Sequence, residues 1–73
     1  MVKRFMKIEA RIERENKKFK IDVKAGTTAK GLALELGLNP VEVIPAVNEM
    51  IVAEDYKIKE KDKVEFLSVV SGG

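Results

Sequence analysis

The chain contains no cysteine and no histidine. Those two absences remove thiol chemistry, disulfides, Cys/His zinc sites and imidazole acid–base catalysis. Its serines and threonines therefore have no histidine base to activate them as nucleophiles. Glutamine is missing as well, and lysine with glutamate dominates the polar residues, a balance that resembles thermophile proteins. No apolar run approaches the length of a membrane span. The opening Met1-Val2-Lys3-Arg4-Phe5-Met6-Lys7-Ile8 is broken by charge too often for a signal peptide, so the expected location is the cytoplasm. Excess charge is small: 14 Lys and Arg against 12 Asp and Glu leave +2, with the two signs interspersed. That balance gives no argument for a nucleic-acid partner.

What remains is 73 residues, 45% hydrophobic and 36% charged. This is the profile of one soluble domain, near the lower size at which a single core suffices. Met6, Ile8, Ala10 and Ile12 alternate with Lys7, Glu9, Arg11 and Glu13, the period of a half-buried strand. Arg14-Glu15-Asn16-Lys17-Lys18 is a polar break in which Asn16 suits the left-handed angles of a turn. Phe19, Ile21 and Val23 return with the same alternation, completing a hairpin. Phe5 has the opposite parity from Met6 and Ile8 and is expected to point out of the sheet.

Thr28 reads as a helix N-cap, because Ala29, Leu32, Ala33 and Leu36 then follow at the spacing of one helix face. Leu32 and Leu36 are expected to be buried against Met6, Ile8, Ile21 and Phe66. Gly37 suits the left-handed position after a helix, Leu38 can fold back on the last turn, and Asn39-Pro40 bars continuation. The glycines at 26 and 31 invite a phosphate-loop reading, but the Gly-x-x-x-x-Gly-Lys-Ser/Thr spacing is absent, and capping accounts for them better. A strand is expected over 41–47, with Pro45 an awkward member. Asn48-Glu49 reads as the turn into a short strand, Met50 to Ala53. Tyr56 and Ile58 are expected core anchors on the crossover, and Glu60-Lys61-Asp62-Lys63 is a charged turn before the final strand.

That strand alternates through Val64, Glu65, Phe66 and Leu67 and runs into Ser71-Gly72-Gly73. Glycine is about 7% of average usage, so a paired glycine end is uncommon by chance. Two residues without a Cβ can enter a slot too narrow for side chains, and the reactive group offered there is the α-carboxylate of Gly73. Residues 1–70 form the expected domain and 71–73 a flexible tail. Hairpin, helix, short strands, crossover and final strand give an α+β chain of β-grasp type, with four or five strands packed on one main helix.

Three pieces of the chain resemble the ubiquitin-like sulfur carriers of the ThiS and MoaD families. They are Gly26-Thr27-Thr28 leading to Leu32…Leu36-Gly37-Leu38, the segment Ala46-Val47-Asn48…Ile51-Val52, and Ile58…Asp62-Lys63-Val64-Glu65-Phe66 with the final Gly72-Gly73. The departures are Asn48-Glu49 where the first family commonly has Asn-Gly, Lys61 in place of a glycine before Asp62, and Pro45. The resemblance implies that the chain is a substrate and not an enzyme. A ThiF/MoeB-like adenylating enzyme, using ATP and Mg, would activate Gly73, with Gly72 and Ser71 threading its active site. A thiocarboxylate would then pass sulfur to an acceptor synthase in thiamin, molybdopterin or tRNA-thiolation pathways. The chain itself would bind no metal, cofactor, nucleic acid or membrane. Phe5, Ile44 and Leu67 share the sheet face away from the helix and are expected to form one apolar docking patch. Two other readings stand beside this one. The first is a protein modifier joined to lysines through Gly73. The second is a stand-alone binding module, such as one meeting RNA through Lys17, Lys18, Lys20 and Lys24.

Overall fold

The alternation of residues 5–24 forms the hairpin it predicts. In the computed structural model, which describes residues 5–69, Phe5–Ile12 (β1) pairs antiparallel with Lys17–Lys24 (β2), from Phe5 opposite Lys24 to Ile12 opposite Lys17. Asn16 takes the left-handed φ of 50° that the turn needs. The helix Ala29–Glu35 (α1) begins at Thr28, whose hydroxyl accepts from the Gly31 N–H at 3.1 Å. The N–H groups of Ala29 and Lys30 donate to the Tyr56 and Glu54 carbonyls at 2.9 Å each. The first three amides of the helix, those of Ala29, Lys30 and Gly31, therefore already have partners. Gly31 costs helix propensity, yet a Cβ there would lie 3.3 Å from the Thr28 hydroxyl oxygen, so its absence gives the cap room.

At the other end, Gly37 adopts φ 78° and donates to the Leu34 carbonyl, while Leu38 donates to that of Ala33 at 2.8 Å. This is the double bond of a Schellman ending, and Leu38 is buried by it. Ala29, Leu32 and Ala33 face the core as expected. Leu36, the C-cap residue of the helix, is only half-buried.

The expected strand over 41–47 starts two residues late. Asn39 Oδ1 accepts from the Val41 N–H at 3.0 Å and Pro40 fits the first helical position, so Pro40–Glu42 forms a 3-10 turn and Val43–Val47 is β3. The next strand is also shorter than expected, Met50–Ile51 (β4), and Lys63–Ser68 (β5) completes the sheet. The order is β2-β1-β5-β3-β4, with β1 and β5 parallel and the other neighbours antiparallel. Pro45 is accommodated by geometry: its carbonyl accepts from Val52, so its missing N–H faces the β4 side and not β5. Ile8, Val23, Leu32, Val64 and Phe66 form the fully buried centre between sheet and helix.

The charged turn before β5 conceals a buried carboxylate. Asp62, 7% exposed, accepts from the Tyr56 hydroxyl, the Lys59 N–H and the Asn48 side-chain amide at 3.0, 2.9 and 3.2 Å. Asn48 in turn accepts from the Lys63 N–H at 3.2 Å. Partial burial, then the hydrogen bond to Asp62 and its charge, hold the Tyr56 phenol above the ordinary tyrosine range.

Two of the sequence departures coincide with backbone strain. Glu49 and Lys61 both hold left-handed angles, φ 72° and 71°. A side chain there costs about 1–2 kcal/mol, against about 0.5–1 kcal/mol for the extra freedom glycine gives the unfolded chain. Glu49→Gly and Lys61→Gly are each expected to stabilise the fold by up to about 1 kcal/mol in urea denaturation; lower midpoints for both would overturn this account.

The Asp62 cluster makes a second prediction. Asp62→Ala should cost about 2–3 kcal/mol, because it strands half-buried donors. With the folded Tyr56 pKa raised, its contribution is complete below the unfolded value near 10 and is lost as pH rises through the folded value. Tyr56→Phe should therefore flatten the decline in stability above pH 10, measured as urea midpoints against pH, and an unchanged decline would remove Tyr56 as its source.

Candidate functional site

Strand register decides which side chains share the sheet face opposite the helix. On β1 and β2 that face carries Lys7, Glu9 and Arg11 beside Asp22, Lys20 and Lys18. On β5 and β3 it carries Lys63, Glu65 and Leu67 beside Ala46 and Ile44. The face is thus divided. Its β2–β1 half is charged, with Arg11 to Glu65 at 2.7 Å and Lys18 to Glu9 at 3.5 Å. Its β5–β3–β4 half is apolar beyond Lys63 and Glu65, with Leu67, Ile44, Ala46 and Ile51.

Of the three residues expected to form one patch, the structure brings two together. Ile44 and Leu67 are direct cross-strand partners and both are half-buried. Phe5 does not join them. The parallel register sets Ile12 beside Phe66, so Leu67 lies level with residue 13, eight positions and roughly 26 Å along β1 from Phe5. Phe5 stands alone opposite Lys24, 57% exposed. Parity placed all three on one face correctly; only the register between strands distant in sequence could show that the face has two ends.

Ile51 takes the place that Phe5 was expected to fill. It lies opposite Ala46 on the same face and is 68% exposed. A two-residue turn at Asn48-Glu49 fixes Met50 against Val47 and Ile51 against Ala46, so the turn length alone carried this signal. The apolar half therefore runs from exposed Ile51 over buried Ala46 to half-buried Ile44 and Leu67, and β5 passes through it towards the end of the chain. Val69, at the next alternate position after Leu67, is 43% exposed. Ser71, Gly72 and Gly73, and the domain boundary expected at 70/71, lie outside the described residues.

The lysines considered for RNA divide as well. Lys18, Lys20 and Lys24 share the outer face, but Lys17 pairs opposite Ile12 on the other side, with its ammonium 3.7 Å from Glu15. Carboxylates interleave with the group, which dilutes it as a phosphate surface. Among the described residues no helix is long and apolar enough to cross a membrane.

Comparison with known proteins agrees with this geometry. A model of the ThiS family matches residues 6–73. The sulfur carrier protein TtuB of Thermus thermophilus is 34% identical over 53 residues, which span 73% of this chain and 82% of that protein. A ubiquitin of Caldiarchaeum subterraneum has a TM-score of 0.70 at 14% identity, with 96% of this chain and all of that chain covered. A designed protein based on ubiquitin gives 0.67 at 19% identity over 93% of each chain. These two structural likenesses show the fold, a ubiquitin-like β-grasp.

Proposed function

The chain belongs to the ThiS family, and from that premise we propose that it carries sulfur on the carboxylate of Gly73. The observation that supports this most is the family match itself, which continues past β5 through Ser71, Gly72 and Gly73. A carboxylate has a poor leaving group. In the proposed reaction the Gly73 carboxylate attacks the α-phosphorus of ATP on a partner enzyme, and pyrophosphate leaves. Sulfide then attacks the acyl carbon of the adenylate, AMP departs, and a proton is released. The product is a Gly73 thiocarboxylate, which hands its sulfur to an acceptor synthase. ATP and Mg belong to a ThiF/MoeB-like adenylating enzyme, the location is the cytoplasm, and the chain acts as substrate, not catalyst. This division of labour suits a sequence without cysteine or histidine.

The same reading gives the divided sheet face a task. Ile44, Leu67 and Ile51 are proposed to meet the adenylating enzyme while the residues after Val69 enter its active site, where backbone contacts to an extended strand replace side-chain recognition. A few well-packed residues at the centre of such a contact carry most of its energy.

Removing Gly73 shortens the reach of the carboxylate by about 3.5 Å, and a misplacement near 1 Å already costs about a hundredfold in rate. Chains ending at Gly72, or extended by one residue after Gly73, should therefore support no ATP–pyrophosphate exchange with the adenylating enzyme of the same source, while melting like the parent. Equal exchange from all three chains would refute the carrier reading, and Gly73 found in an isopeptide bond to lysine would replace it with protein modification.

Docking is tested separately. Leu67→Glu should lower exchange by at least about tenfold with little change in melting temperature, whereas Phe5→Ser should leave exchange unaltered. If Phe5→Ser is as damaging as Leu67→Glu, docking reaches the far end of β1.

A further inference from the structure

The ladder that carries β5 towards its end runs out of backbone acceptors one residue early. In the parallel register of β1 and β5, Glu13 donates its N–H to the Phe66 carbonyl at 3.1 Å. The next rung would take the Ser68 N–H to the Glu13 carbonyl. That carbonyl is already committed to the hairpin turn, where it accepts from the Asn16 N–H at 3.0 Å. The Glu13 side chain supplies the missing acceptor instead: the Ser68 N–H donates to its Oε1 at 2.9 Å. On the opposite side of the strand the Val69 N–H donates to the Glu42 carbonyl at 3.1 Å. Arg14 and Glu42 bridge the two flanks at 3.4 Å, an exposed pair that contributes little by itself.

From this arrangement, and resting on the carrier reading above, we infer that Glu13 is a positioning residue for the working end of the chain. Its carboxylate extends the sheet by one rung that the backbone cannot provide. The last described residues are thereby held from both sides, Ser68 towards β1 and Val69 towards β3. The direction in which the chain leaves the sheet is set before any partner binds. Holding a segment in its bound direction lowers the ordering cost of association and leaves the chemical step unchanged. The signature is therefore a change in KM and not in kcat. Glu13 is exposed and outside the core, so its loss does not threaten folding.

The test compares wild type, Glu13→Ala and Glu13→Gln by ATP–pyrophosphate exchange, with amide hydrogen exchange on the free proteins as a second measurement. Glutamine keeps an oxygen acceptor and discards the charge. Glu13→Ala should raise the KM for the carrier by about two- to tenfold, the worth of one exposed hydrogen bond, with kcat unaltered. Its Ser68 amide should exchange faster by a similar factor, while the amides of Val64 and Phe66 stay as protected as before. Glu13→Gln should restore both values most of the way. A wild-type KM in Glu13→Ala, or a Glu13→Gln protein as impaired as Glu13→Ala, would overturn the positioning role; the latter would assign Glu13 to charge contact with the partner. Wild-type protein that supports no exchange at all would instead overturn the carrier reading on which the role rests, and that result is read from the wild-type arm alone.

Discussion

Asp62 is the constraint on which the rest of this small fold depends. A carboxylate taken out of water is costly unless its lone pairs are filled, and here three donors fill them, two from the crossover and one from the β3–β4 turn. The crossover, the β3–β4 turn and the start of β5 are tied at one point, and the Asp62 carbonyl also accepts from Glu9 on β1. That tie sets where β5 begins relative to β1. Because strand side chains alternate, a slip of one residue would send Leu67 into the core and Phe66 into solvent. The identity of the outer face is therefore decided at a turn well removed from it.

Much of the architecture was legible because its causes are local. The alternation of Met6 to Ile12, the hydroxyl of Thr28 and the glycine at 37 each act within a few residues, and each appears in the structure in the role its chemistry suggests. Asp62 was not legible in this way. Between Lys61 and Lys63 it reads as one more surface charge, since its three donors come from positions 48, 56 and 59. Phe5 failed for a related reason: parity names a face, but only pairing between strands distant in sequence gives the distance along it. Val41 and Glu42 looked like strand residues by composition, and a capping Asn39 followed by proline overrode that preference.

The residues proposed for function divide along the same line. Gly72 and Gly73 stand out from sequence because their chemistry needs only their position. Ile51 and Glu13 do not, because each depends on a neighbour supplied by folding. Ile51 becomes part of an apolar face only when Ala46, Ile44 and Leu67 are laid beside it. Glu13 becomes an acceptor for Ser68 only because the hairpin has claimed its own carbonyl. In a chain without cysteine or histidine, the role proposed here rests on shape: a five-stranded sheet, an apolar surface, and a last strand held from both sides at Ser68 and Val69.

Pro45 has an effect beyond its own strand. Apolar side chains on a sheet next to an open strand edge invite other sheets to add on, the first step of edge-to-edge aggregation. Just past two-residue β4, beside the carbonyl that still accepts from Val52, Pro45 presents a ring where a backbone donor would stand. At the opposite edge, β2 offers Lys17, Lys18, Lys20 and Lys24, whose charges repel a second copy. One margin is blunted sterically and the other electrostatically, which disfavours edge-to-edge addition beside the exposed apolar residues.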